Sequence, residues 1–143
     1  MKVTDIMTKE VATLDPEATI DVAAKLMRDW NVGVIPVCEN RKLVGVVTDR
    51  DIAVRAVAAE LDSLTQPVQQ IMTDRICFCF DSQSVKEAAG IMEREQLHRL
   101  PVVNEEKHLV GIISLGDIAV KGHNRALSAE ALEEISKPSR PAA

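Results

Sequence analysis

Two stretches of the chain place a hydroxyl and a carboxylate three residues apart behind a glycine. They are Gly45-Val46-Val47-Thr48-Asp49-Arg50-Asp51 and Gly111-Ile112-Ile113-Ser114-Leu115-Gly116-Asp117, and both read Gly-x-x-(Ser/Thr)-x-x-Asp. Glycine lets another backbone approach closely, and a hydroxyl at a helix start stands beside free N–H groups that attract anions. An aspartate one turn inside is placed to accept from ribose hydroxyls while the helix end holds a phosphate. The same spacing also describes a capping box, in which the two side chains only satisfy the backbone at the start of a helix. Duplication does not choose between these readings, because a useful cap would be copied along with its surroundings.

Positive charge near one motif is more informative. His98-Arg99 precede Leu100-Pro101, whereas the earlier copy has Gly33-Val34 before Ile35-Pro36. An arginine beside a helix N-terminus completes a phosphate site through charge-assisted hydrogen bonds, with Arg50 and Arg55 available to assist. A solvated surface pair is the alternative. The cysteines Cys38, Cys77 and Cys79 make an odd count with no Cys-x-x-Cys pair, which fits a reducing compartment rather than a disulfide framework. Cys77 and Cys79, two apart on a strand, would have Cα atoms about 6.6 Å apart, poorly placed for a bridge. They read first as small buried apolar side chains, with a thiol or zinc sensor using Cys38, Cys77, Cys79 and His108 as an alternative. No Ser, Cys or His arrangement pairs a nucleophile with a base, so no catalytic residue, metal centre or cofactor is expected.

The elements that must position these residues occur twice. Ile6-Met7-Thr8 returns as Ile71-Met72-Thr73, Ala23-Ala24 with Met27 as Ala88-Ala89 with Met92, and Pro36-Val37 as Pro101-Val102, all at an offset of 65. After one inserted residue, Leu43-Val44-Gly45 returns as Leu109-Val110-Gly111 and Asp51-Ile52-Ala53-Val54 as Asp117-Ile118-Ala119-Val120. Self-similarity at a fixed period marks a duplicated unit. Ile20, Ala23, Ala24 and Met27, and Val85, Ala88, Ala89 and Met92, have the spacing of one buried helix face. Thr19 and Ser84 stand at N-cap positions, and Ser84 with Glu87 forms a capping-box pattern. Apolar runs Val32 to Cys38 and Leu43 to Val47, and Leu97 to Val103 and Leu109 to Ile113, read as hairpins. A second helix then starts near Thr48 or Ser114, and Gly122 ends the later one.

The fold class expected is therefore α/β (α+β), two β-α-β-β-α repeats packed with pseudo-twofold symmetry. The divisions are 1–58 for the first repeat, 59–67 for a linker, 68–122 for the second repeat and 123–143 for a tail. That tail has one short helix, Ser128 to Ile135, before a disordered Pro- and Ser-containing end. Each repeat is too small to bury a comfortable core alone, which favours packing of the pair.

Composition narrows the function. The chain has 143 residues, 46% hydrophobic and 27% charged, the profile of an ordinary globular protein. A net charge of −5 and an aromatic set of only Trp30, Phe78 and Phe80 exclude a generic nucleic-acid binder. No run approaches the roughly 18 apolar residues of a membrane span, and the first residues lack a signal peptide, so a cytoplasmic location is expected.

Taken together, the duplicated Ile-Met-Thr start, Ala-Ala-x-x-Met helix, Pro-Val strand and Gly-x-x-(Ser/Thr)-x-x-Asp-Ile end resemble a tandem pair of cystathionine-β-synthase (CBS) domains, a Bateman module. The resemblance covers about residues 1 to 122 and extends to small stand-alone bacterial members, including the hypoxic response type. It implies a non-catalytic regulatory module, usually a homodimer, that binds adenosine nucleotides such as AMP, ADP or ATP in two clefts. Carried over, one cleft takes Val46, Thr48, Arg50 and Asp51 with Ile76, Cys77, Leu97, His98 and Arg99. The other takes Ile112, Ser114 and Asp117 with Thr8, Val11, Ala12 and Val32. Since Val34 replaces Arg99 there, weaker phosphate binding is expected in the second. A scaffold with vestigial clefts, motivated by Trp30 and the tail helix, is the alternative from another class.

Overall fold

The computed structural model describes residues 1–138. In chain order its elements are α1 (Val3–Ile6), α2 (Ile20–Trp30), β1 (Val34–Glu39), β2 (Lys42–Thr48) and α3 (Asp49–Asp51), which a π-helical turn, Ile52–Val57, continues. A 3-10 turn follows at Val68–Gln70, then β3 (Cys79–Phe80), α4 (Val85–Glu95), β4 (Arg99–Val103), β5 (Leu109–Ser114), α5 (Leu115–Val120) and α6 (Arg125–Ser136). The chain divides into two compact units. One contains Glu10–Ile76 with Glu106–Leu109, and the other contains Met1–Lys9, Cys77–Glu105 and the described residues from Val110 to 138.

In the unit built on residues 10–76, α2 turns Ile20, Ala23 and Met27 inward and stops at Asn31, whose φ of 52° is left-handed. β1 and β2 pair antiparallel across a tight turn at Asn40 and Arg41, both at positive φ (50° and 70°), the backbone that matches strand twist. The strand expected before α2 is reduced to one parallel bridge, Leu14 to Val37. After Asp51 the helix widens, so that Ala58 N–H donates to the Ala53 carbonyl five residues back. Residues 59–67 are anchored to the start of α2, where Ile20 and Asp21 N–H donate to the carbonyls of Gln66 and Ser63. Ile35, Val37, Val47, Val68 and Ile71 form the centre of this core.

In the second unit, residues 1–9 fold with the later repeat. Val3 N–H donates to the Gln83 carbonyl and Val85 N–H to the Met1 carbonyl. The sheet runs β3-β4-β5, with β3 parallel to β4 and Cys79 opposite Val102. These are the equivalents of Leu14 and Val37, so the two repeats keep one register. Gly122 closes α5 as expected. Its N–H donates to the Asp117 carbonyl, and a Cβ there would meet the Ile118 carbonyl oxygen at 2.6 Å.

Three local expectations need correction. Thr19 occupies the N-cap position of α2 but does not cap it, because its hydroxyl donates to the Asp21 carboxylate instead. Cys77 lies outside β3, which begins only at Cys79. The tail helix runs from Arg125 to Ser136, longer than Ser128 to Ile135, because Asn124 caps it by accepting from Leu127 N–H. The end expected to be disordered begins after Ile135, but Ser136 is still helical and Lys137 is the C-cap, and its remainder, residues 139–143, lies outside the described residues.

Candidate functional site

Each Gly-x-x-(Ser/Thr)-x-x-Asp motif folds as a strand running into a helix. At the end of β2, Thr48 Oγ1 accepts from Asp51 N–H at 3.0 Å, and Asp51 Oδ2 accepts from Thr48 N–H at 2.9 Å. At the end of β5, Ser114 Oγ accepts from Asp117 N–H at 3.1 Å, and Asp117 Oδ2 accepts from Ser114 N–H at 3.0 Å. Both motifs are therefore complete capping boxes. One oxygen of each carboxylate, Oδ1, is left outside the cap.

A cation from the next helical turn approaches that oxygen. Arg55 Nε lies 3.7 Å from Asp51 Oδ1, and Lys121 Nζ lies 3.1 Å from Asp117 Oδ1. Both carboxylates are about nine-tenths covered, with side-chain exposures of 10% and 12%. A nearly buried carboxylate with one oxygen fixed by the backbone is a preorganised acceptor, because little orientation remains to be lost on binding a hydroxyl.

The glycine of each motif is explained by what crosses it. Val46 and Thr73 exchange both backbone hydrogen bonds, at 3.0 and 2.8 Å. A Cβ on Gly45 would meet the Thr73 carbonyl oxygen at 2.9 Å and Met72 Sδ at 2.8 Å. On Gly111 it would meet the Thr8 carbonyl oxygen at 2.7 Å and Met7 Sδ at 2.8 Å. The Ile-Met-Thr segment and the glycine motif are thus two halves of one contact, as the grouping of Thr8 with Ile112 implies, and the other copy repeats it with Thr73 and Val46.

The predicted residues distribute between the two units. Val46, Thr48, Arg50, Asp51 and Ile76 belong to one, whereas Cys77, Leu97, His98 and Arg99 belong to the other. Thr8, Ile112, Ser114 and Asp117 share a unit, and Val11, Ala12 and Val32 lie in its counterpart. Thr8 is brought directly to the Ser114 helix start, since it pairs with Ile112 and its hydroxyl accepts from Lys121 Nζ at 3.3 Å. His98 meets the same helix start through its carbonyl, which accepts from Leu115 N–H at 3.1 Å. Gly33 does the same for Asp49 N–H at 2.9 Å, and a side chain at position 33 would run into Asp49 Oδ2. Arg50 and Arg99 are exposed, and Cys77 and Leu97 pack against the core of their unit. Lys121 and Thr73 were missed. The only signal for either was its place one helical turn, or one repeat, from a residue already chosen.

Burial pushes the Cys38 thiol above the ordinary thiol range. Burial, with the Asp81 carboxylate adding to it, pushes Cys79 up to about 12. Thiols of this kind stay protonated and are poor nucleophiles at neutral pH. Among the described residues, no three His, Cys, Asp or Glu side chains converge as a metal site would require, and no helix is long and apolar enough to cross a membrane.

Comparison with known proteins points in one direction. A family model described as CBS domain matches residues 3–57 and again 68–122. The CBS domain-containing protein YhcV of Bacillus subtilis is 42% identical over 134 residues, 94% of either chain. Hypoxic response protein 1 of Mycobacterium tuberculosis is 36% identical over 116 residues, 80% of either chain. The crystal structure of Hypoxic Response Protein I with two coordinated zinc ions gives a TM-score of 0.77 at 34% identity, covering 83% of this chain and 97% of that one. CBSX2 in complex with AMP gives 0.73 at 26% identity, covering 86% and 96%. The CBS domain pair of MJ0100 in complex with 5-methylthioadenosine and S-adenosyl-L-methionine gives 0.74 at 28%, covering 87% and 98%.

Proposed function

The chain belongs to the CBS-domain family and carries two CBS domains, and from that premise we propose that it is a cytoplasmic, non-catalytic regulatory module whose ligands are adenosine nucleotides. In this reading Asp51 and Asp117 accept from ribose hydroxyls. Thr48 and Ser114 stand toward phosphate, and Val46 and Ile112 lie against the base. The observation that carries the reading is the Oδ1 of each nearly buried, backbone-fixed carboxylate, which lies outside the cap and faces only a half-exposed cation one helical turn on, in both units. Two structural relatives support it, one holding AMP and the other holding two adenosyl compounds. Among the described residues no three His, Cys, Asp or Glu side chains converge, so the nucleotide reading is preferred to a thiol or zinc sensor.

Calorimetry with AMP, ADP and ATP on the full chain tests the proposal. Saturable heat that falls in Asp51→Asn and in Asp117→Asn is the expected result. No heat and no thermal stabilisation at millimolar ligand would overturn it.

Assembly is a second reading, which one surface favours. Val22, Leu26 and Trp30 recur every fourth residue along α2, with Val22 45% and Trp30 49% exposed, while the equivalent positions on α4 are Glu87, Ile91 and Glu95. We propose that this stripe contributes to a homodimer. Light scattering of wild type and Trp30→Glu tests it, and an unchanged mass for the variant would reject it.

A further inference from the structure

The two ribose-type carboxylates are chemically identical and are engaged to different degrees. Asp117 Oδ1 holds Lys121 Nζ at 3.1 Å, and the same ammonium donates to Thr8 Oγ1 at 3.3 Å. Lys121 therefore ties the carboxylate to the segment that crosses Gly111. The residue at the equivalent position of the first repeat, Arg55, lies 3.7 Å from Asp51 Oδ1, beyond hydrogen-bond distance. Its Nη1 points to the carbonyls of Ile71 and Met72 instead, at 3.5 Å each. An arginine spreads its charge over several acceptors, whereas the compact ammonium of a lysine concentrates on the oxygen it touches.

We infer that Lys121 is a specificity-determining residue that competes with a sugar hydroxyl for Asp117 Oδ1, so that the Asp51 side takes an adenosine ligand ahead of the Asp117 side. The inference rests on the reading that these carboxylates hold ribose, and it adds an order of filling set by residues one helical turn away. A hydroxyl arriving at Asp117 Oδ1 must displace or share the ammonium, while one arriving at Asp51 Oδ1 meets no hydrogen-bonded cation. Lys121 is half exposed, so the handicap is that of a partly solvated ion pair, up to about fivefold in affinity.

Adenosine is the probe, because it has no phosphate for Lys121 to attract. Its binding is measured by calorimetry on the full chain in the Asp51→Asn background, which isolates the Asp117 side, with and without Lys121→Met. The expected result is a gain of about two- to fivefold in affinity from Lys121→Met. Lys121→Arg in the same background is expected to gain less. With Lys121 in place, raising the salt from low concentration to about 1 M is expected to strengthen adenosine binding, since screening loosens the ion pair. That salt response is expected to vanish in Lys121→Met. Unchanged or weaker adenosine binding in Lys121→Met, or no salt response with Lys121 present, overturns the inference. Adenosine giving no heat with wild type or any variant overturns the ribose reading itself, and the inference falls with it.

Discussion

Thr8 and Ile112 exchange both of their backbone hydrogen bonds, each N–H meeting the other's carbonyl at 2.8 or 2.9 Å. The pair holds the Thr8 carbonyl over Gly111, 2.7 Å from where a Cβ would sit. That neighbour is backbone, already committed to two strong bonds, and cannot swing aside as a side chain can. Gly111→Ala is therefore expected to destabilise the protein by about 1–3 kcal/mol, seen as a lower urea midpoint. Gly45→Ala should behave alike, because the Thr73 carbonyl lies 2.9 Å from its Cβ.

Gly90 tests the same argument with the opposite sign. It lies inside α4, and a Cβ there meets nothing nearer than an Arg94 guanidinium nitrogen at 3.7 Å. Since glycine loses more backbone freedom on folding than alanine, Gly90→Ala is expected to stabilise by about 0.5–1 kcal/mol. A fall in melting temperature would show that α4 is crowded where the geometry leaves it open.

Much of this was legible in the sequence, because local chemistry decides local structure. Ser84 and Glu87 announced the start of α4, and the period of apolar residues gave the inward face of α4 in full and that of α2 except for Ala24, which is exposed. What tandem duplication hides is the choice of partner. The Ile-Met-Thr segment has two equivalent glycine strands to cross, and nothing in a repeated pattern says whether Thr8 pairs with Ile112 or with Val46. Thr19 stands at the N-cap position as expected yet its side chain does not cap the helix, for a different reason. Asp21 stands two residues after it and captures its hydroxyl, whereas Ser84 has no acid until Glu87. The π-helical turn after Asp51 leaves no sequence mark, because Asp117-Ile118-Ala119-Val120 repeats the same residues in α5 as an ordinary α-helix.

The cap at the start of α4 predicts a response to acid. Gln83 and the Ser84 backbone and hydroxyl hold the Glu87 carboxyl below the ordinary glutamate range, by hydrogen bonds to its charged form. A depressed carboxyl adds stability that is complete above its unfolded pKa and is lost as falling pH protonates the folded group. Glu87→Gln should thus be less stable than wild type at neutral pH and converge with it in acid. Ser84→Ala, which removes the acceptor for Glu87 N–H, is expected to cost about 1 kcal/mol, and Thr19→Ala less, since Thr19 caps nothing. Denaturant melts across the acid range check both.

Cys79 carries a prediction for alkaline solution. Its side chain is fully buried in the unit that holds Val102 and Met92, and its thiol is pushed up to about 12, chiefly by burial. A thiol that ionises more readily unfolded than folded stabilises the fold below its unfolded pKa, and that contribution fades as pH rises beyond it. Native Cys79 should therefore resist alkylation at neutral pH and react only on unfolding. Cys79→Ala should lose the part of the alkaline decline that the thiol causes. Rapid labelling of Cys79 in the folded protein would refute the burial argument.

Helix α6 gives the last test, because the second unit uses it as core. Ala131 and Ile135 are buried in the same cluster as Ala88, Met92, Leu115 and Ile118. The end of the helix is fastened where Gln96 Nε2 donates to the Lys137 carbonyl at 2.9 Å. Position 24, equivalent to Ala89, is exposed in the other unit, while Ala89 is wholly buried. A helix that merely decorated the surface would tolerate truncation of its side chains, whereas one completing a core would not. Ile135→Ala is expected to cost about 2 kcal/mol or more, Ile135→Val about 1 kcal/mol, and Leu132→Ala, at an exposed position, close to nothing. Equal effects at positions 132 and 135 in urea melts would mean that α6 is not packed as described.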